Sequence, residues 1–98
     1  MQFLQDDPIH PGEILREEFL AEYQLSVAGV ASALGVNAGR LADVIAGKAA
    51  VDADLALRLS RYFSNSAEFW LNLQRGYDLA VALKHAEGLD AIRPVHAA

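Results

Sequence analysis

Only three residues, Gly35, Val36 and Asn37, separate two short helical patterns in this chain of 98 residues, and no other feature narrows its fold so far. The first pattern opens at Ser26, whose hydroxyl can accept from the free amides of a first helical turn. It runs from Val27 to Leu34, with Val30, Ala31 and Leu34 on its inner side. Gly35 stands where a left-handed residue stops a helix. Asn37 caps the second pattern, in which Leu41, Val44 and Ile45 recur at i, i+3 and i+4 before Gly47 closes it. Ala31 is small enough for a close crossing, and Val30, Val36, Leu41 and Val44 can lock it. This is the spacing of a helix-turn-helix, about residues 26–47. The same residues would also serve two core helices of a bundle.

The flanking segments are helical too. Pro11 suits a first helical turn, where its missing N–H is not needed. Leu15, Phe19 and Tyr23 follow at i, i+4 and i+8 with Leu20 beside them, which predicts a helix over about 11–22. Asp52 caps a fourth helix carrying Leu55, Leu59 and Phe63. Ser66 caps a fifth, in which Phe69, Leu73, Tyr77 and Val81 form one stripe widened by Trp70 and Leu71. That is more apolar surface than one side of a small bundle uses. From about Lys84, Gly88 and Pro94 predict a loose tail with a short turn at 90–93. No segment alternates as a strand does. The expectation is an all-α chain forming a single domain over 1–98, with an ordered core over about 9–83 and a tail over 84–98.

Composition removes several classes. There is no cysteine, so neither a disulfide framework nor a thiolate metal cluster can form. That fits a reducing cytoplasm. No apolar run approaches the ~20 residues of a membrane helix, and the acids at Asp6 and Asp7 do not suit a secretory signal. Three histidines, His10, His85 and His96, lie far apart, without the spacing of a helical zinc site. A glycine-rich phosphate loop and a nucleophile elbow are both missing, and the serines read as caps or helix residues, so an enzyme is not expected. No cofactor is implied. Thirteen acids against eight bases give a net charge of −5, which argues against coating nucleic acid by charge alone. Six of the acids fall within residues 1–23 against a single base, Arg16, whereas residues 36–48 are slightly positive through Arg40 and Lys48.

Three stretches carry a resemblance: HPGEILREEFLAEY at 10–23, GVNAGRLADVIAGKAAV at 35–51 and ALRLSRYFSNSAEFWLNLQRGYDL at 56–79. They resemble the HigA, or VapI-like, antitoxins of the Xre helix-turn-helix class over about residues 9–83. The resemblance implies a five-helix, lambda-repressor-like DNA-binding domain, usually dimeric. It implies repression of a shared operon and binding of a small ribonuclease toxin, HigB. In relatives the start of the recognition helix usually reads as a proline, serine, threonine stretch followed by an arginine or serine; here those places hold Ala38, Gly39, Arg40, Leu41, Ala42 and Asp43, and Asn37, the cap, could offer its amide to a phosphate. Arg40 is long enough to reach a base edge or a phosphate. Lys48 matches the family's Gly-Lys ending and would meet the backbone as a point charge. The N-termini of both motif helices offer free N–H groups to phosphates. Asp43 stands where many relatives have an arginine; it is either a solvated helix residue or an acceptor for a cytosine amine. Val27 and Ala42 also replace polar residues of the family, so the surface is poor in donors.

Two further surfaces are candidates. Trp70, Leu73, Tyr77 and Val81 are expected to support or form a homodimer interface, although an aromatic pair such as Phe69–Trp70 also suits a core. Glu13, Glu17 and Glu18 form, with Glu22, an acidic helix side. It is either simply solvated or the surface that steers and masks a basic toxin. The expected partners are thus double-stranded operator DNA, a HigB-like toxin and a second copy of the chain. The alternatives are an antitoxin that binds protein only, its helix-turn-helix having lost DNA affinity, and a helical interaction module.

Overall fold

Every helix cap that the sequence offers is used. The computed structural model describes residues 8–95. Within them five helices are followed by one short 3-10 turn: α1 (residues 11–23), α2 (Val27–Leu34), α3 (Ala38–Ile45), α4 (Ala53–Phe63) and α5 (Ala67–His85), then Leu89–Ala91. The described residues contain no strand. Ser26 Oγ accepts from Gly29 N at 3.0 Å, Asn37 Oδ1 from Arg40 N at 3.0 Å, Asp52 Oδ1 from Leu55 N at 2.9 Å and Ser66 Oγ from Phe69 N at 3.0 Å. Each satisfies an amide that the first turn leaves free. Gly35 ends α2 at φ +73°, and Val36 N reaches back to the Ala31 carbonyl at 3.0 Å. That is the left-handed termination only glycine adopts without strain. Arg58 of α4 donates to the Leu34 carbonyl at 2.8 Å, so α4 closes the C-terminus of α2.

One core joins all five helices. Leu15, Leu20, Val30, Ala31, Leu34, Leu41, Val44, Val51, Leu55, Ala56, Leu59 and Trp70 are buried in it. Ala31 lies in this core together with Val30, Leu41 and Val44, and Val36 packs against it.

Helix α1 departs from expectation in its middle. Residues Leu15–Leu20 form a π-helical turn, in which Ala21 N bonds to the Arg16 carbonyl five residues back. The wider turn brings Leu20, rather than Phe19 and Tyr23, beneath Leu15. Leu15 and Leu20 are buried, Phe19 is half-buried, and Tyr23 points out at 61% exposure. The expected Leu15–Phe19–Tyr23 stripe is thus redrawn one residue along.

The fifth helix is corrected as well. Trp70 is wholly buried inside the protomer, with Phe19, Phe63 and Phe69 around it at ring distances of 5.2, 6.4 and 5.0 Å. Its indole N–H donates to Asn65 Oδ1 at 2.9 Å. It offers a second copy no surface of its own and could only support an interface from the core. Leu73, Tyr77 and Val81 are half-buried. Helix α5 also continues to His85, past the point where the tail was expected, and the short turn falls at Leu89–Ala91 rather than 90–93. Among the described residues no helix is long and apolar enough to cross a membrane. His10 and His85 sit apart, at the start of α1 and the end of α5; His96 and residues 1–7 lie outside the described residues.

Candidate nucleic-acid interface

Helix α3 turns Leu41 and Val44 into the core, which leaves Ala38, Gly39, Ala42 and Asp43 on its outer side. All four are exposed, as is the cap residue Asn37. The outer side is therefore small and smooth, with a lone carboxylate at its middle. A surface with so little side-chain bulk lets the helix backbone come close to whatever it meets.

Backbone contacts hold this helix from behind. A methyl group built on Gly12, at the start of α1, would overlap the Val44 carbonyl oxygen, so only glycine permits α1 to rest on the end of α3. Beyond that end the chain turns through Gly47. Lys48 N and Ala49 N both donate to the Asp43 carbonyl, at 2.8 and 3.2 Å. Lys48 is exposed on this turn, beside the outer side of α3.

Arg40 is placed differently from the free cation the sequence suggested. Its Nη2 donates to Asp52 Oδ2 at 2.8 Å, which ties α3 to the cap of α4. The Leu55 amide, with the Arg40 guanidinium beside it, holds the Asp52 carboxyl below its usual range. The guanidinium side chain is 38% exposed. A guanidinium has five N–H donors, so engagement with Asp52 orients Arg40 and still leaves donors for an outside acceptor.

The two other predicted surfaces lie elsewhere. Glu13, Glu17 and Glu18 are all exposed on α1, with Glu17 accepting from Arg16 at 2.9 Å. On α5 the apolar side chains most open to solvent are Leu79 at 52% and Leu83 at 45%. Sequence reasoning passed over both, although their i, i+4 spacing was visible. It also passed over the buried Gln74 behind the α3–α4 turn, and it placed His10 before a helix without foreseeing its burial there. His10 Nδ1 accepts from Gly12 N at 2.9 Å and caps α1, while the ring meets Tyr77 edge-on at 4.8 Å. Burial pushes its imidazole below the ordinary value of 6.5, against the opposing pull of Asp78 and of a hydrogen bond to the Ala49 backbone. The proximity of Pro11 announced that His10 precedes a helix, but not that it caps one.

Five helices with α2 and α3 in this relation, and an exposed second helix, define a lambda-repressor-like helix-turn-helix protein. No protein-family model matches the chain. Individual proteins do. Virulence-associated protein I of Dichelobacter nodosus is 44% identical over 87 residues, covering 89% of this chain and 81% of its own. The Pseudomonas aeruginosa antitoxin HigA, solved with the higBA promoter, is 46% identical, covers 92% of this chain and all of its own, and superposes with a TM-score of 0.84. Antitoxin GraA, solved in complex with its operator, is 43% identical over 93% of this chain and 94% of its own, with a TM-score of 0.86. The chain belongs to the HigA-like antitoxins of the Xre helix-turn-helix class.

Proposed function

We propose that this protein is an operator-binding repressor and the antitoxin of a type II toxin–antitoxin pair, acting in the cytoplasm as a homodimer. The observation that carries the reading is the near full-length match, at 46% identity, to a HigA solved on its promoter. The exposed side of α3 agrees with it. In this reading α3 enters the major groove and its small residues allow a close approach. Lys48 meets the phosphate backbone, and Arg40 reaches a phosphate or a guanine from its seat on Asp52. The N-termini of α2 and α3 point amides at phosphates. Asp43 faces the groove, where a carboxylate repels the backbone and accepts only from a base amine such as that of cytosine. Two copies read two half-sites, joined through the outer side of α5 at Leu79 and Leu83, with Leu73, Tyr77 and Val81 behind them.

Toxin neutralisation falls to the acidic side of α1. An enzyme that cleaves RNA must attract phosphates, so it is basic where it binds them, and Glu13, Glu17 and Glu18 are suited to steer it. The scarcity of cations around α3 also favours a second reading, in which the protein neutralises a toxin without binding DNA. Titration of a duplex from the region upstream of its own gene, at two salt concentrations, separates the two. Salt-dependent binding supports the repressor; absence of binding to that duplex, together with co-purification of a small basic partner, supports the second reading.

A further inference from the structure

The turn that carries Lys48, residues 46–52, is fixed by more than its own backbone. Val51 is buried and Ala49 half-buried, while Ala46, Gly47, Lys48, Ala50 and Asp52 are exposed. So little of the turn is packed that its position depends on polar ties. One such tie comes from far away in sequence, and a packing contact adds to it. Val51 N donates to Gln74 Oε1 of α5 at 2.8 Å, and the His10 ring lies against Gly47, where an added Cβ would stand 3.9 Å from its Cγ.

Gln74 is 6% exposed in a place that an apolar residue would fill at less cost, because a buried amide is tolerated only when it is hydrogen-bonded. Its second bond sets its orientation. Gln74 Nε2 donates to Asp78 Oδ1 at 2.8 Å. Val51 N–H needs an acceptor and the Asp78 carboxylate needs a donor, so the amide fits one way round only. His10 is held by its own cap: with Nδ1 accepting from Gly12 N, the ring stays against Gly47 of the turn. The two side chains therefore hold the turn from α5 and from the start of α1.

We propose that Gln74 and His10 are positioning residues for the DNA-backbone contact of Lys48: they touch no DNA themselves, and they fix the turn from which Lys48 reaches a phosphate. The inference rests on the repressor reading above.

The test is a set of titrations on a fluorescent duplex from the region upstream of the chain's own gene, across a range of salt concentrations. The proteins are native, Lys48→Ala, Gln74→Met, His10→Asn, and each of the last two combined with Lys48→Ala. Methionine keeps the volume of Gln74 and removes both of its bonds. Asparagine keeps an acceptor for the α1 cap but is too short to lie against Gly47. Should Gln74→Met fail to fold, His10→Asn carries the test. Lys48→Ala is expected to weaken binding and to lower the salt slope by about one. Gln74→Met and His10→Asn are each expected to weaken binding roughly three- to tenfold, to lower the slope by a similar amount, and to do nothing further in the Lys48→Ala background. A merely structural defect would reduce the active fraction and leave the slope unchanged. Variants with native affinity and slope, or losses that multiply with that of Lys48→Ala, overturn the inference and leave the repressor reading standing. A native protein that shows no salt-dependent binding overturns both.

Discussion

Gly12 and His10, two near neighbours at the start of α1, hold much of the geometry at the residue scale. Gly12 lies against the Val44 carbonyl so closely that a Cβ would overlap it, and on both sides the obstacle is backbone. A helix end cannot move aside as a flexible side chain can. Gly12→Ala is therefore expected to cost about 1–3 kcal/mol, in the range of other overpacked sites, and urea denaturation will measure it. His10 makes stability depend on pH. Burial lowers its folded-state pKa below the 6.5 of a free imidazole, with Asp78 of α5 opposing the shift and the Tyr77 ring edge-on to it. The folded chain thus takes up this proton less readily than the unfolded one. The His10 contribution is complete above 6.5 and is lost as pH falls from there through the lower folded value. Protonation would also remove the Nδ1 acceptor that caps α1. The urea midpoint of the native protein should drop between about pH 7.5 and about pH 5 by more than that of His10→Asn, which has no imidazole to titrate. Equal drops would show that His10 remains unperturbed.

Local rules cover most of the chain at the scale of elements. Four caps, the glycine stop of α2 and the small buried Ala31 were legible because each depends on neighbours within a few positions. The π-helical turn of α1 was not. Leu15, Phe19 and Leu20 satisfy both a four- and a five-residue repeat, and only packing against the core decides between them. The roles of Gln74 and His10 were hidden for a related reason: their contacts at Val51 and Gly47 are distant in sequence, and nothing local foretells such a contact. On α5 the surplus of apolar residues was visible, but which of them the core would take was not. Trp70 went inside, and Leu79 stayed out. The α2–α3 turn offers the cleanest test of an element. Gly35 holds φ +73°, a region strained for any branched side chain. Gly35→Val is expected to cost about 1–3 kcal/mol and to lower the melting temperature accordingly; an unchanged melting temperature would contradict the observed turn.

The whole molecule is more extended than its length requires. Its radius of gyration is 16.2 Å, against about 13 Å for a compact chain of this size. At the end of α5 and in the segment beyond it, residues 82–95 are all exposed, and Leu83, Leu89 and Ile92 are 45, 53 and 67% open to solvent. Apolar side chains along a protruding helix are suited to cover one another in a symmetric pair. Sedimentation of the native protein should give a dimer and of Leu79→Glu/Leu83→Glu a monomer; a native monomer at high micromolar concentration would contradict this account. The central claim is that the exposed side of α3 is the DNA-reading surface, and Asp43 at its middle tests that claim most directly. The measurement is the affinity of native protein and Asp43→Arg for a duplex from the chain's own promoter region and for a random duplex, at two salt concentrations. Replacing repulsion by attraction beside the backbone should tighten random-duplex binding and raise its salt slope by about one, with a smaller gain on the promoter duplex, where a base amine would lose its acceptor. If Asp43→Arg leaves both affinities unchanged, Asp43 points away from DNA, and α3 is not the helix that enters the groove.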